Sequence, residues 1–225
     1  MLAHRALVFP VASEDPRLGW LLAEFRLLVN ESIRIALRDD IRSRARLARA
    51  AYKDLSARHA VYKQYVPSAF EVALAVLKVH RRRVRKGKKT SVPFIRRLLL
   101  KAENQSYRLD RETGRLRIPI RGTEGLQLHL PLSEWHRSML GDPSWSLGSL
   151  IVVPGKIIVV LRKEAPKPYE PRGAIALDTN EDSLDGVQVL GDSAALLRVT
   201  FDGVRRIQET HFRRRRRLAR KKAGD

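Results

Sequence analysis

The chain has 225 residues, with 45 Lys or Arg against 24 Asp or Glu and a formal net charge of +21, and 44% of its residues are hydrophobic. That length and apolar content suit one large or two to three small folded domains rather than a disordered chain. The absence of cysteine rules out disulfides and thiolate zinc sites, and none of the six histidines falls at metal-ligand spacing.

The opening residues, 1–11, contain no long apolar core of a leader. The most apolar later stretch, 147–161, is interrupted by Gly148, Pro154 and Lys156, well short of a membrane span. A soluble, cytoplasmic protein is the expectation. Ala6 to Phe9 reads as a first strand ending at Pro10. Asp15 then caps a helix with Pro16 in its first turn, and Leu18, Leu21, Leu22, Phe25, Leu28, Val29, Ile33, Ala36 and Leu37 recur at helical spacing. A second helix is predicted to start after Asp39 or Asp40 and to carry Ile41, Leu47, Ala51 and Leu55. A third is predicted after Pro67 and Ser68, running through Phe70, Ala73 and Leu77 into Arg81, Arg82, Arg83 and Arg85, with Gly87 as its stop.

From Gln105 the pattern turns to alternation. Tyr107 and Leu109, then Leu116, Ile118 and Ile120, then Leu126, Leu128 and Leu130 predict a β meander. Leu150 to Val153, Pro154-Gly155 and Ile157 to Leu161 predict a hairpin. Glu164 to Pro171 reads as a stiff linker and a domain boundary. After it, Ala174 to Leu177 predict a buried strand ending on Asp178, Val187 to Leu190 a return strand, and Ala194 to Phe201 a third. Asp202 is expected to cap a final helix over residues 203–222.

The charge is concentrated. Residues 78–101 hold eleven Lys or Arg and no acid, residues 203–223 hold ten against Glu209 alone, and the rest is nearly balanced. Dense basic tracts on an otherwise neutral protein are the footprint of a phosphate backbone, because each neutralised phosphate releases condensed counterions. A solvated face usually mixes signs, and an anionic membrane surface is the weaker alternative. The nucleic-acid-binding candidates are therefore Arg81, Arg82, Arg83, Arg85, Lys86, Lys88, Lys89, Arg96, Arg97, Arg213, Arg214, Arg215, Arg216 and Arg217. Gly87-Lys88-Lys89-Thr90-Ser91 is not a phosphate-binding loop, since Arg82 stands where that motif needs glycine. No nucleophile elbow and no dinucleotide fingerprint is present. Trp20, Phe25 and Phe70 lie on apolar stripes and are expected in the core. Tyr107, Trp135 and Trp145 have polar neighbours that leave a ring face available for stacking. Asp178, at the end of an apolar strand, suits a ligand for a hard cation such as Mg²⁺, although Asp is also a favoured turn residue. Asp182, Asp185 and Asp192 are best read as turn residues.

The order of parts, with Ala6-Leu7-Val8-Phe9-Pro10, Asn30, the stretch from Arg96 to Tyr107, and Ala174-Ile175-Ala176-Leu177-Asp178-Thr179-Asn180, resembles the N-terminal part of the TnpB (OrfB) family. These are insertion-sequence RNA-guided DNA endonucleases, often called transposases and related to type V CRISPR effectors. The resemblance implies an α+β fold: a helical REC-like insert (13–102) in a β-barrel WED/OB-like domain (1–12 and 103–165), a linker (166–171), and the start of a ribonuclease H-like RuvC α/β domain (172–225). It implies guide RNA and DNA as partners, nucleoid association when bound to DNA, and Asp178 as the first catalytic, Mg²⁺-binding carboxylate. It also implies a truncation after the first RuvC-like motif. The second-motif Glu, the zinc ribbon and the third-motif Asp are absent before Asp225, so Mg²⁺ chemistry would need a separate C-terminal half. A non-catalytic RNA- or DNA-binding module, or ribonucleoprotein component, is the alternative.

Overall fold

A computed structural model describes residues 2–11, 13, 15–165, 169–201 and 203–221. They form an α+β protein in two units, residues 1–165 and 166–225. The first unit runs β1 (Leu2–Pro10), α1 (Pro16–Arg38), α2 (Arg44–Arg58), α3 (Tyr65–Arg85), β2 (Leu100–Ala102), β3 (Arg108–Leu109), β4 (Arg115–Arg121), β5 (Glu124–His129), α4 (Glu134–Gly141), β6 (Ser146–Val153) and β7 (Lys156–Glu164). Its strands make two antiparallel sheets, ordered β1-β7-β6-β2 and β3-β4-β5. The β-barrel implied by the resemblance is therefore not closed among the described residues. Between β1 and β2, which occupy opposite edges of one sheet, the chain inserts all of α1, α2 and α3.

Local chemistry sets the helix ends. Asp15 caps α1, its carboxylate accepting from the Arg17 N–H at 2.9 Å, and Pro16 fills the first position, where a missing N–H costs nothing. Leu21, Leu22, Phe25, Leu28, Val29, Ile33 and Ala36 form its buried stripe. The helix ends in a Schellman motif: Asp40 has φ +40°, its N–H donates to the Leu37 carbonyl, and the Ile41 N–H donates to the Ala36 carbonyl at 2.9 Å. Ile41 is thus the buried apolar residue that seals this cap, not the first residue of the second helix. That helix begins instead at its Ser43 cap. The third helix starts earlier than expected, because Pro67 sits in its first turn, where backbone N–H groups have no intrahelical partner. It stops as expected: Gly87, at φ +67°, donates to the Val84 carbonyl, and the Lys88 N–H donates to the Arg83 carbonyl at 3.1 Å. The β6–β7 hairpin turns at Pro154-Gly155, with Gly155 at φ +80°, the conformation a type II turn needs after proline.

An ionic knot joins the insert to the sheet. On α3, Glu71 accepts from Arg44 of α2 and, at 2.6 Å, from Lys101 of β2, which also reaches Glu103 at 2.9 Å. Burial alone pushes the Glu71 carboxyl up, but its hydrogen bonds to Lys101 and Arg44 outweigh burial and hold it below the ordinary glutamate range. Because the folded value lies below the unfolded one, this contribution is full above the unfolded value, about 4.3. It is lost as pH falls through the folded value. Glu71→Gln is expected to cost about 1 kcal/mol at neutral pH. As pH falls from about 4.3 through the lower folded value, urea midpoints of the variant and parent should converge. A gap that stays constant down to low pH would contradict this.

The second unit is β8 (Gly173–Thr179), β9 (Ser183–Leu190) and β10 (Ser193–Thr200), an antiparallel meander ordered β10-β9-β8, followed by α5 (Val204–Lys221). Residues 166–168 of the expected linker, the expected cap Asp202 and the expected helix end at Lys222 lie outside the described residues. The strand expected to be buried is not: Ile175 is 59% and Leu177 51% exposed. β8 is an edge strand of a three-stranded sheet, and alternation puts apolar residues on both of its faces. Ile175 and Leu177 lie on one, and Ala174, Ala176, Val187 and Leu196 on the other. Two such faces need two layers of cover. Ile207, Phe212 and Leu218 of α5 are themselves exposed.

Candidate nucleic-acid interface

The first basic tract is positioned by α3. The apolar stem of this helix, Tyr65, Val66, Ala69, Phe70, Ala73 and Leu77, is buried, so its last turns carry Arg82, Arg83 and Arg85 outward into solvent. Lys86, Lys88 and Lys89 follow on the exposed segment after the Gly87 stop, and Arg96 and Arg97 are exposed further on. Among the described residues these eight cations have no carboxylate partner within 4.0 Å.

The contrast with other arginines of the same unit is informative. Arg17 pairs with Asp15, Arg38 with Asp39, Arg42 with Asp40, and Arg58 with both Asp54 and Glu31. The Arg38, Arg42 and Arg58 hydrogen bonds hold the Asp39, Asp40 and Asp54 carboxyls below their usual range. These arginines are tied to acids of the fold, whereas beyond Arg81 on α3 no arginine has a carboxylate within 4.0 Å among the described residues.

Arg81 belongs with the tied group. Its guanidinium donates to the Ala36 and Ile41 carbonyls at 3.5 and 3.2 Å and to Asp40 at 3.1 Å, closing the C-terminal end of α1, where a cation is favoured by the unsatisfied carbonyls. The sequence groups Arg81 with the phosphate-binding candidates, whereas its geometry is that of a clamp between α1 and α3.

Two grooves flank the end of α3. One, of about 790 Å³, is lined by residues including Leu37, Asp40, Lys78, Arg81 and Arg85. The other, of about 470 Å³, lies between α3 and residues 89–94 and includes Arg83, Lys89, Thr90, Ser91 and Phe94. The segment beyond Lys89 has no regular structure up to β2, yet it is pinned. Asn30 of α1 donates to the Ile95 carbonyl at 3.1 Å and accepts from the Ile95 N–H at 2.8 Å, and Arg26 donates to the Arg96 carbonyl at 3.3 Å. Phe94 is left half exposed with the Arg96 guanidinium 5.1 Å from its ring centre.

The aromatics expected to offer open faces fall otherwise. Tyr107 and Trp145 are buried, the Tyr107 hydroxyl donating to the Gly148 carbonyl at 3.0 Å, and only Trp135 of the three is exposed. Phe25 and Phe70 are core residues as expected. Trp20 is not, at 43% exposure. It lines a shallow slot with Arg17, Ile120 and Arg121, because it sits at the edge of the buried stripe of α1 rather than within it. Phe94 is not among the aromatics that polar neighbours single out; its signal in the sequence is a lone aromatic between two basic runs, off any apolar stripe.

In the second unit, α5 carries Arg213, Arg214, Arg215, Arg216 and Arg217, all exposed. Arg213 is 3.6 Å from Glu209, and Arg205 is within 3.4 Å of it, while Arg214 to Arg217 have no carboxylate within 4.0 Å among the described residues. Five consecutive residues encircle a helix, so these charges do not all share one face.

Asp178 is exposed on β8 directly opposite Asp185 of β9, which pairs in turn with Arg198 of β10. Asp185 is thus a strand residue rather than the expected turn residue. Its oxygens accept from Asn180 and Ser183, each at 2.8 Å, and it lies 3.3 Å from Arg198. Mg²⁺ is held by one or two carboxylates with substrate oxygens and water completing its shell. Here the Asp178 carboxylate has no cation within 4.0 Å among the described residues, while Asp185 is bonded to Asn180, Ser183 and Arg198. Among the described residues no group of three His, Asp or Glu side chains could hold a metal ion. This set alone is not a metal centre, and no reaction step follows from it. Among the described residues no helix is long and apolar enough to cross a membrane.

A family model described as the uncharacterized protein MJ0013 family matches residues 21–119. That stretch begins in α1, includes α2, α3 and the whole first basic tract, and ends in β4. No curated protein matches the chain.

Proposed function

We propose that this chain is the nucleic-acid-binding, amino-terminal part of a TnpB-like RNA-guided DNA endonuclease, gripping guide RNA and target DNA. In this reading α1, α2 and α3 form the REC-like insert, the two sheets of the first unit the WED-like part, and β8 to α5 the opening of a ribonuclease H-like domain. The observation that carries the proposal is the set of eight exposed cations from Arg82 to Arg97, without a carboxylate partner among the described residues and lying in a stretch whose sequence contains no acid. It is supported by the insertion of three helices between two strands of one sheet, and by a meander whose first strand carries Asp178 before a basic helix.

A second reading, a binding module without catalysis, is favoured by the engagement of Asp185 with Arg198 and because, among the described residues, no group of three His, Asp or Glu side chains includes Asp178. Cleavage would need carboxylates from outside the described residues. Crosslinking and sequencing of RNA co-purified with the native protein tests the binding proposal: a structured transcript from its own locus is the expected result, and recovery of no RNA above background refutes it. The two readings then separate on one variant. Supplied with any missing half and Mg²⁺, the guided-nuclease account expects cleavage that is lost in Asp178→Ala. The module account expects no cleavage in either.

A further inference from the structure

We propose that the groove between α3 and residues 89–94 seats a single unpaired nucleotide, its base against Phe94 and its phosphate between Arg83 and Lys89; this rests on the nucleic-acid reading above. At about 470 Å³ the groove lies within the range of small-ligand sites. Its lining is divided in the way a nucleotide requires. Val79 and Phe94 give an apolar side for a base, Thr90 and Ser91 place two hydroxyls along the wall, and Arg83 and Lys89 bring exposed positive charge with no acid within the tract.

Phe94 is the element that phosphate binding alone does not explain. A ring left 54% exposed among cations is a poor structural residue, yet its surroundings are fixed. Asn30 pins the backbone of Ile95 through both its N–H and its carbonyl, and Arg26 holds the carbonyl of Arg96. A loop segment locked from a neighbouring helix presents the ring at little ordering cost on binding. The Arg96 guanidinium over that ring adds a planar cation, the combination on which unpaired bases stack. A duplex keeps its bases inside the stack and would meet this surface through phosphates only, so the groove distinguishes unpaired from paired nucleic acid.

The full-length protein, a single-stranded RNA carrying one 2-aminopurine, and a fully paired RNA with the same number of phosphates provide the test. The parent should quench the fluorophore when bound. Phe94→Ala should weaken single-strand binding roughly 5- to 150-fold, abolish the quenching, and leave duplex affinity and both salt slopes unchanged, while Phe94→Trp retains binding and quenching. Asn30→Ala, which frees the loop without changing charge, should weaken the quenching too. Equal losses for single strand and duplex in Phe94→Ala, or no loss for either, would overturn the proposal. If the parent still binds RNA with a steep salt dependence in that case, the nucleic-acid reading stands and only the stacking site falls. If the parent binds neither RNA, both fall.

Discussion

Simultaneous replacement of Arg82, Arg83, Arg85, Lys86, Lys88 and Lys89 with alanine is expected to weaken binding of structured RNA by about a thousandfold near 0.1 M salt. It should also flatten the dependence of log K on log salt by about 4 to 5, from roughly 0.7 released counterions per contact on single strands to 0.9 on duplex. The size of the effect follows from where the charges are. All six side chains are exposed, none has an acidic partner among the described residues, and all lie within eight residues at the end of one helix. Folding should be largely indifferent, since surface substitutions away from packed or bonded groups stay within about 0.5 kcal/mol each. The Gly87 termination uses backbone groups that alanine retains. Arg81→Ala is the internal control. It should reduce stability, because it removes three contacts that close α1, and should leave the salt slope nearly unchanged. An unchanged slope in the sixfold variant, measured by filter binding or anisotropy across a salt series, would mean that this tract does not contact phosphates.

The sequence was most legible where a single residue decides the backbone. Asp15 with Pro16, Gly87, and Pro154-Gly155 each name their cap or turn unaided, because few residues tolerate those conformations or satisfy those N–H groups. The sequence is least legible where a residue has two uses. Ile41 keeps helical spacing with the stripe that follows it, yet serves as the apolar seal of the preceding cap. Pro67-Ser68 resembles a helix start and lies inside the first turn of one. Helix α4 is not announced by the apolar pattern. It is only eight residues long, and its signal is the reciprocal Ser133–His136 cap, with histidine where glutamate or glutamine would have advertised it.

The candidate site divides in the same manner. Charge density is a property of composition and was visible at once, whereas the partner of each charge depends on contacts distant in sequence. Arg81 meets Asp40 from forty-one residues away, and only that contact separates it from its exposed neighbours. Asp185 looked like part of a loop because Asn180, Asp182 and Gly186 surround it, but the register of β9 with β8 and β10 puts it in the middle of a sheet. Burial was the least legible quantity. Apolar strands such as Ala174 to Leu177 announce that they need cover, and nothing within their own residues says whether the cover is supplied.

Tyr65→Ala is expected to destabilise the first unit by about 3–5 kcal/mol, and Tyr65→Phe by about 1–2 kcal/mol. Tyr65 opens α3 and is fully buried, its ring set edge-on to Phe25 at 6.4 Å and to Tyr62 at 5.6 Å between centres. Its hydroxyl donates to the Pro119 carbonyl of β4 at 2.7 Å, and burial pushes its ionisation well above the ordinary tyrosine range. Alanine empties a site packed by Phe25 of α1 and Tyr62 just before α3 and leaves the carbonyl without this donor, while phenylalanine keeps the packing and removes the donor alone. The difference between the two variants therefore isolates the volume, and the smaller loss isolates the hydrogen bond that fastens the helical insert to the second sheet. Because α3 carries the basic tract at its other end, loosening its first turn should lower RNA affinity in Tyr65→Ala only in proportion to the unfolded fraction. Denaturant midpoints measured with unchanged m-values would establish both losses. A Tyr65→Phe variant as stable as the parent would show that the Pro119 carbonyl finds another donor and that the insert is held by packing alone.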